Sequence, residues 1–287
     1  MTGLAGAGHP PWVLDHAPYT PFMEARTAKP PGLSPLDMAS WTVRDPDFDP
    51  QMIRRREVMA AHIDVVLSAL TEGEDPALEL LSMLKANLGQ DPAPTELETY
   101  CPLTAIGHMV SEDFCLMRHD PNSGEYRLVS AILCFPSRWL LAEKMGRPLT
   151  VIHQPVPDYD DVLARRVARV FDAVKPDRPL VRVNWLVHAV PELFLPLGLS
   201  DKLMQQAPSA GPFYLRTERQ TLVRLPQTGA VAFGIKTSVT PIDRLTPEQA
   251  TALHGALGKL APEDVAYRSG GRLIDAARTV LAKVAAR

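Results

Sequence analysis

The chain has 287 residues, of which 46% are hydrophobic, and its formal net charge is −3 at pH 7. Such a length suits one large domain or two small ones with a sizeable core. The charge balance and the lack of a Lys/Arg-rich run argue against nucleic acid or an anionic membrane as the main partner. The sequence has neither a basic N-terminus followed by an apolar stretch nor 18 consecutive apolar residues. We therefore expect a cytoplasmic protein without a secretory signal or membrane span.

Residues 1–49 are rich in proline and lack a sustained period. Their large apolar side chains predict an arm that lies on a globular body rather than a disordered tail. We expect this arm to be anchored by Trp12, Tyr19, Phe22 and Met23. From residue 50 to about Leu88, apolar residues recur with a helical period, so residues 50–100 are predicted to be a helical segment packed on the body.

The central part of the chain predicts strands. Residues 113–117 and 126–135 are strand-like, and the turn residues of 120–124 between them indicate a β-hairpin. Ser137 is expected to cap a short helix that runs to Lys144, with Gly146 at its C-terminal end.

The three cysteines, Cys101, Cys115 and Cys134, are widely spaced and form no CxxC pair. This argues against a zinc knuckle, an iron–sulfur cluster and a disulfide framework. We expect buried, reduced thiols.

His153 stands just ahead of Pro155 and Pro157. Each proline fixes its own φ and biases the preceding residue toward an extended conformation, so Gln154 and Val156 have little freedom. An imidazole in such a stiffened loop suits an axial metal or haem ligand. The alternative is a loop histidine that only hydrogen-bonds the backbone.

After this loop, Asp158 or Asp160 is predicted to begin a helix that runs to about Val174. Three further strands follow at 180–190, 213–225 and 230–240, the last two forming a second hairpin. Thr246 is expected to cap a helix with Pro247 in its first turn, and a closing helix covers about 272–286. Paired strands with helices inserted between them indicate an α+β fold with an antiparallel sheet.

The chain resembles the haem-dependent oxidative N-demethylase α-subunit family over roughly Pro21 to Tyr267. The resemblance rests on motifs that come in a fixed order: Ser34–Asp37, Leu103, Glu112–Leu116, Cys134–Trp139, Glu143–Gly146, Ile152–Pro157, Arg182–Trp185, Leu215–Leu222 and Arg224–Pro226. It implies a PAS-like core over 101–245, with a five-stranded antiparallel sheet and helices on one side, followed by C-terminal helices over 246–287.

The same resemblance implies haem b and the oxidation of a small secondary amine, such as dimethylamine, to the primary amine and formaldehyde. Dioxygen is the oxidant, and electrons come from a separate flavin or iron–sulfur reductase subunit, so a hetero- or homo-oligomer is expected. The chain has no GxGxxG after a strand and no cluster-binding cysteines to supply those electrons itself. In haem-binding PAS domains the proximal histidine comes from between the second and third strands, which points to His153.

The alternation of side chains along a strand assigns the remaining candidate residues to the two faces of the sheet. Arg216, Glu218 and Gln220 share one face and Arg219 the other, while Arg182, Asn184 and His188 lie opposite Trp185. We expect Arg182, Arg216, Arg219 or Arg138 to bind haem propionates, Asn184 and Trp185 to line the cofactor site, and Glu218 to hold the substrate ammonium or relay protons. The alternative is a solvated sheet face with cross-strand ion pairs.

Two other functions remain open on the sequence: a haem-based PAS sensor, and a non-catalytic haem-binding or assembly subunit. A non-haem iron site of two histidines and one carboxylate, with the histidines drawn from His108, His119 or His188, is a further possibility, although no pair has firm ligand spacing.

Overall fold

The computed structural model describes residues 8–24, 32–154, 161–206, 211–268 and 271–287. Its centre is a seven-stranded, entirely antiparallel sheet with the strand order β1-β5-β6-β7-β3-β4-β2. The strands are β1 (Ser34–Pro35), β2 (Leu67–Ala69), β3 (Asp113–Asp120), β4 (Glu125–Ile132), β5 (Leu180–His188), β6 (Tyr214–Arg224) and β7 (Val231–Pro241).

All five predicted strands are present, as the neighbouring strands β3 to β7. The expectation of a five-stranded sheet is wrong, because β1 and β2 add a short strand at each edge. Two or three residues carry no readable period, so the sequence gives no signal for them. Both predicted hairpins are confirmed, and their turns contain Gly124 and Gly229 with φ values of 72° and 71°. Glycine adopts these positive angles without steric cost.

Eleven helices lie among the described residues. They are α1 (Phe48–Val66), α2 (Glu74–Asn87), α3 (Glu96–Tyr100), α4 (Pro102–Met109), α5 (Leu141–Lys144), α6 (Leu149–His153), α7 (Asp161–Ala173), α8 (Leu199–Gln206), α9 (Pro247–Leu257), α10 (Pro262–Arg268) and α11 (Gly271–Ala285). The helical segment after residue 50 and the closing helix are confirmed. Thr246 caps α9 as predicted, with Pro247 in the first turn. No helix in the described ranges is both long and apolar enough to cross a membrane.

Several local predictions are wrong. Ser137 caps no helix, because α5 begins only at Leu141; instead Ser137 forms a parallel bridge with Leu195. His153 is the last residue of α6 rather than part of a loop. The two prolines after it, and the two aspartates predicted to begin α7, lie outside the described residues. Cys101 is exposed, whereas the other two cysteines are buried, and all three thiols are free.

Helices cover both faces of the sheet, not one face as expected. Helices α5 to α7 pack on one face against Cys115, Leu222 and Phe233. We call this the His153 face; the side chains of Arg182, Asn184, Glu218 and Gln220 belong to it by register.

The opposite face packs against two helix groups. Helices α1, α2 and α4 cover Phe114, Leu116 and Ile132, and helices α9 and α11 cover Val187 and Leu215. Phe22 also lies there, because its ring contacts the Trp185 ring edge-on, with 5.7 Å between centroids.

Candidate functional site

His153 is held at the end of α6 by its own helix. Its Nδ1 lies 2.9 Å from the carbonyl oxygen of Leu149. A carbonyl can only accept, so Nδ1 carries the hydrogen and Nε2 carries the lone pair. Burial lowers the pKa of the imidazole, and the positive charges of Lys144 and Arg182 lower it further. A neutral imidazole with one nitrogen fixed by a backbone carbonyl is the form that binds metals.

A row of polar side chains runs along β5 and β6 on the His153 face. Arg182 Nε donates to Gln220 Oε1 at 2.7 Å, and Gln220 Nε2 donates to Glu218 Oε2 at 3.0 Å. Asn184 Nδ2 lies 3.5 Å from the same carboxylate oxygen. These are cross-strand neighbours, since Arg182 is paired with Gln220 and Asn184 with Glu218. The row therefore connects Arg182, whose charge lowers the pKa of His153, to the carboxylate of Glu218.

Arg216 helps to fix the orientation of the Glu218 carboxylate. Arg216 Nε lies 3.7 Å from Glu218 Oε1, and the Arg216 side chain is 1% exposed. Its guanidinium also donates to the carbonyl oxygens of Phe135 at 2.7 Å, Glu192 at 3.2 Å and Leu193 at 3.3 Å. Burial lowers the pKa of Arg216, and the nearby carboxylate of Glu218 opposes that effect. Arg216 thus fixes both the carboxylate and the loops around it.

Apolar side chains stand beside the polar row. Trp139, Ile152 and Phe233 are only partly buried although they pack against the core formed with α5 to α7. The Lys144 ammonium lies 5.4 Å from the centre of the Trp139 ring, and it donates to the carbonyl oxygen of Ile152 at 2.6 Å. A mostly apolar wall with a few placed polar groups is typical of a cofactor site.

Two of the expected cofactor-binding residues lie on the opposite face. Arg219 donates to the carbonyl oxygens of Ser40 at 2.6 Å and Trp41 at 3.2 Å. Trp185 packs with Phe22 there. Alternation along β5 and β6 therefore separates both side chains from His153 by the thickness of the sheet.

Arg138 lies in the segment between β4 and α5. Its guanidinium pairs with Asp201 at 3.3 Å, and its φ of 63° is unusual for a residue other than glycine.

The structure adds Gln220 and Lys144, for which no role was predicted, and it shows the surroundings of His188, which was expected only as a possible ligand of a non-haem iron. Gln220 joins Arg182 to Glu218, and alternation had already placed it on that face. Lys144 acts on His153 from α5, but a single lysine in a short helix gives no sequence signal for this. His188 is 1% exposed at the end of β5, and burial, with Arg216 and Arg138 nearby, lowers its pKa to about 3.

The donor set on the His153 face fits haem better than a non-haem ion. Haem needs one protein ligand, an apolar wall for its ring and donors for its carboxylates. A neutral imidazole, the wall at Trp139 and Ile152, and the Arg182 guanidinium have these properties. No three His, Cys, Asp or Glu side chains within the described ranges come together to hold a metal ion. His108 and His119 are exposed on α4 and β3, so the alternative of two histidines and one carboxylate has no support there.

A comparison with protein families agrees with the expected relationship. The model of the family described as "Haem-dependent oxidative N-demethylase, alpha subunit-like" matches residues 89–277. The match begins well after Pro21, where the resemblance was expected to start, and extends beyond Tyr267. It includes His153, the polar row on β5 and β6, and all five central strands. Since it covers more than half of the chain, the chain belongs to the haem-dependent oxidative N-demethylase, alpha subunit-like family.

Proposed function

We propose that the chain binds haem b on the His153 face, with His153 Nε2 as the protein ligand of the iron. We further propose that it oxidatively demethylates a small secondary amine such as dimethylamine. The observation that carries this proposal is the hydrogen bond from His153 Nδ1 to the Leu149 carbonyl, which fixes the tautomer of the neutral ring with its lone pair on Nε2. The family description, which names haem and N-demethylation, supports the same reading.

A PAS-like core is part of the proposal. It is supported by the five central antiparallel strands and by the position of α5 to α7 in the chain. These helices lie between the second and third of those strands and pack on the face that bears the polar row. The helices on the opposite face and the two edge strands are additions to such a core.

The chain's own residues have a defined part in the chemistry. Bound haem supplies the oxygen activation. Glu218 accepts a hydrogen bond from the substrate ammonium, while Gln220, Asn184 and Arg216 fix the direction of its carboxylate. Trp139, Ile152 and Phe233 exclude water from the methyl group that is oxidised.

The reaction needs electrons from a reductant. Removing one methyl group consumes a dioxygen, two electrons and two protons, and gives the primary amine, formaldehyde and water. The electrons are proposed to come from a separate flavin or iron–sulfur subunit. Support comes from the family's designation as an alpha subunit.

Replacing His153 tests the ligand. Protein expressed with a haem precursor is expected to be red, and His153→Ala is expected to lose the Soret band while its far-UV circular dichroism is retained. His119→Ala, which changes an exposed histidine on β3, is the matched control and keeps the band. An unchanged spectrum for His153→Ala would exclude His153 as the ligand.

Replacing Glu218 tests the amine site. Glu218→Gln removes the charge but keeps the shape, and hydrogen bonds to charged groups contribute about 1.5–3 kcal/mol. Dimethylamine, followed by its shift of the Soret band, is therefore expected to bind on the order of 10- to 100-fold more weakly, with haem retained. Glu263→Gln on α10 is the exposed control. An unaltered amine titration removes Glu218 from the site.

The same spectra separate the other candidate functions. A Soret band that ignores amines but responds to gases indicates a haem sensor. Colourless protein after expression with a haem precursor indicates an assembly subunit. Each outcome contradicts the demethylase proposal at a different step.

A further inference from the structure

His188, the last residue of β5, is buried in an unusual state. It is 1% exposed, and neither ring nitrogen has a hydrogen-bond partner among the described residues. A neutral imidazole has one donor and one acceptor, and buried polar groups in proteins are nearly always paired. A buried ring with both positions open therefore points to a missing partner.

Two arginines act on this ring, and Arg216 lies on the neighbouring strand, paired with Leu186. Arg216 and Arg138 are close enough for their charges to add to burial in lowering the pKa of His188 to about 3. Arg216 reaches the segment before α5 by donating to the Phe135 carbonyl, and Arg138 reaches α8 through Asp201. The Arg138 amide also donates to the carbonyl oxygen of Leu195 at 2.8 Å.

The same segments contain further open donors. The hydroxyl of Ser200, which is 0% exposed and directly precedes Asp201, has no partner within the described ranges, and neither does the hydroxyl of Ser137. Arg216 Nε makes no hydrogen bond there either, since the Glu218 carboxylate stands 3.7 Å away. Arg138 holds its φ of 63° at this place, and sparsely populated backbone angles cluster at ligand sites.

The excess of hydrogen-bond donors around His188 favours an anion as the ligand. Two guanidiniums, two hydroxyls and an imidazole N–H are donors, and both charges that act on His188 are positive. Each guanidinium has one carboxylate beside it, since Glu218 Oε1 lies 3.7 Å from Arg216 Nε and Asp201 Oδ1 lies 3.3 Å from Arg138 Nη2. Neither carboxylate hydrogen-bonds the His188 ring, the Ser200 hydroxyl or Arg216 Nε, so these donors stay open among the described residues. Arginine prefers the planar, two-oxygen geometry of a carboxylate.

We propose that His188, Ser200 and the guanidiniums of Arg138 and Arg216 form a binding site for a carboxylate. The carboxylate comes either from a haem propionate or from a small free acid. The first source rests on the proposed function, whereas the second is independent of it.

The free-acid source is tested on the full chain prepared without haem. Acetate is titrated in a buffer free of other carboxylates, and the ring signals of His188 are followed by NMR. Saturable binding is expected, with the pKa of His188 raised because a negative charge now stands beside it. Ser200→Ala is expected to weaken acetate at least 10-fold, and Ser123→Ala in the exposed β3–β4 turn is the matched control.

The propionate source is tested by comparing haem with its dimethyl ester, which has no free carboxylate. Haem is expected to bind at least 10-fold more tightly than the ester to the unaltered chain, and this ratio is expected to approach one in His188→Phe and Ser200→Ala. Circular dichroism checks that both variants fold. Saturable acetate binding supports the site, and so does tighter binding of haem than of its ester. No acetate binding together with equal affinity for haem and ester overturns it, whereas failure to bind either porphyrin counts against the proposed function alone.

Discussion

At the scale of single residues, Asp113 joins the sheet to both α1 and the loop that leads to the site. One carboxylate oxygen accepts from Arg55 Nη1 at 2.6 Å and from the amide of Cys134 at 2.7 Å, and the other accepts from the amide of Phe135 at 2.8 Å. Both side chains of the ion pair are buried. Because Phe135 in turn accepts from Arg216, this carboxylate supports the position of Glu218 indirectly.

Asp113→Asn is expected to lower the free energy of unfolding by about 3–5 kcal/mol, because it leaves the Arg55 guanidinium buried without a counter-charge. Urea denaturation measures the loss. Asp177→Asn is the control: its pair with Arg178 is long, at 3.8 Å, and exposed, so a change within about 0.5 kcal/mol is expected. Equal losses in the two variants would show that the buried pair does not stabilise the fold.

For single residues, the sequence predicts the face of the sheet on which a side chain lies, but not its distant partners. Alternation correctly placed Arg182, Asn184 and Glu218 on one face, because the period of a strand is local information. It could not reveal that the Arg219 guanidinium binds the carbonyls of Ser40 and Trp41. Those partners are about 180 residues away in sequence, and only the folded chain brings them together.

At the scale of elements, α9 begins with reciprocal hydrogen bonds. The Gln249 amide donates to Thr246 Oγ1 at 3.2 Å, and the Thr246 amide donates to Gln249 Oε1 at 3.0 Å. Thr246→Ala is expected to cost about 1 kcal/mol of unfolding free energy, because it leaves an amide of the first turn without its acceptor. Thr251→Ala, in the exposed middle of the same helix, is the control and is expected to cost nothing. Thermal and urea denaturation measure the unfolding free energy of both variants. Identical losses would show that the Thr246 cap does not stabilise the fold.

Elements were predictable where a local signal fixed them. Gly124 and Gly229 marked the two hairpins, and Thr246 with Pro247 marked α9. The elements that were missed have weak local signals: α8 is short and follows a proline-rich stretch, and β1 and β2 exist only by pairing with β5 and β4. Their conformation depends on the neighbouring strand, which the sequence of the segment does not contain.

At the scale of the whole molecule, the sheet divides the protein into two helical layers with different roles in the proposal. Helices α5 to α7 cover the face with His153 and Glu218, whereas α9 and α11 cover the face with Trp185. If haem binds at His153 as proposed, it would contact only the first layer, and a ligand that binds the native state stabilises the elements it touches against local opening.

Hydrogen exchange with and without haem tests this division. Slower exchange is expected in α5 to α7 and along β5 and β6, with α9 and α11 unchanged, because the sheet shields them from the ligand. Trp185→Phe, which changes the opposite face, is expected to leave this pattern and the Soret band intact, whereas His153→Ala is expected to abolish both. Protection confined to α9 and α11 would place the cofactor beside Trp185 instead, and the assignment of His153 would then be wrong.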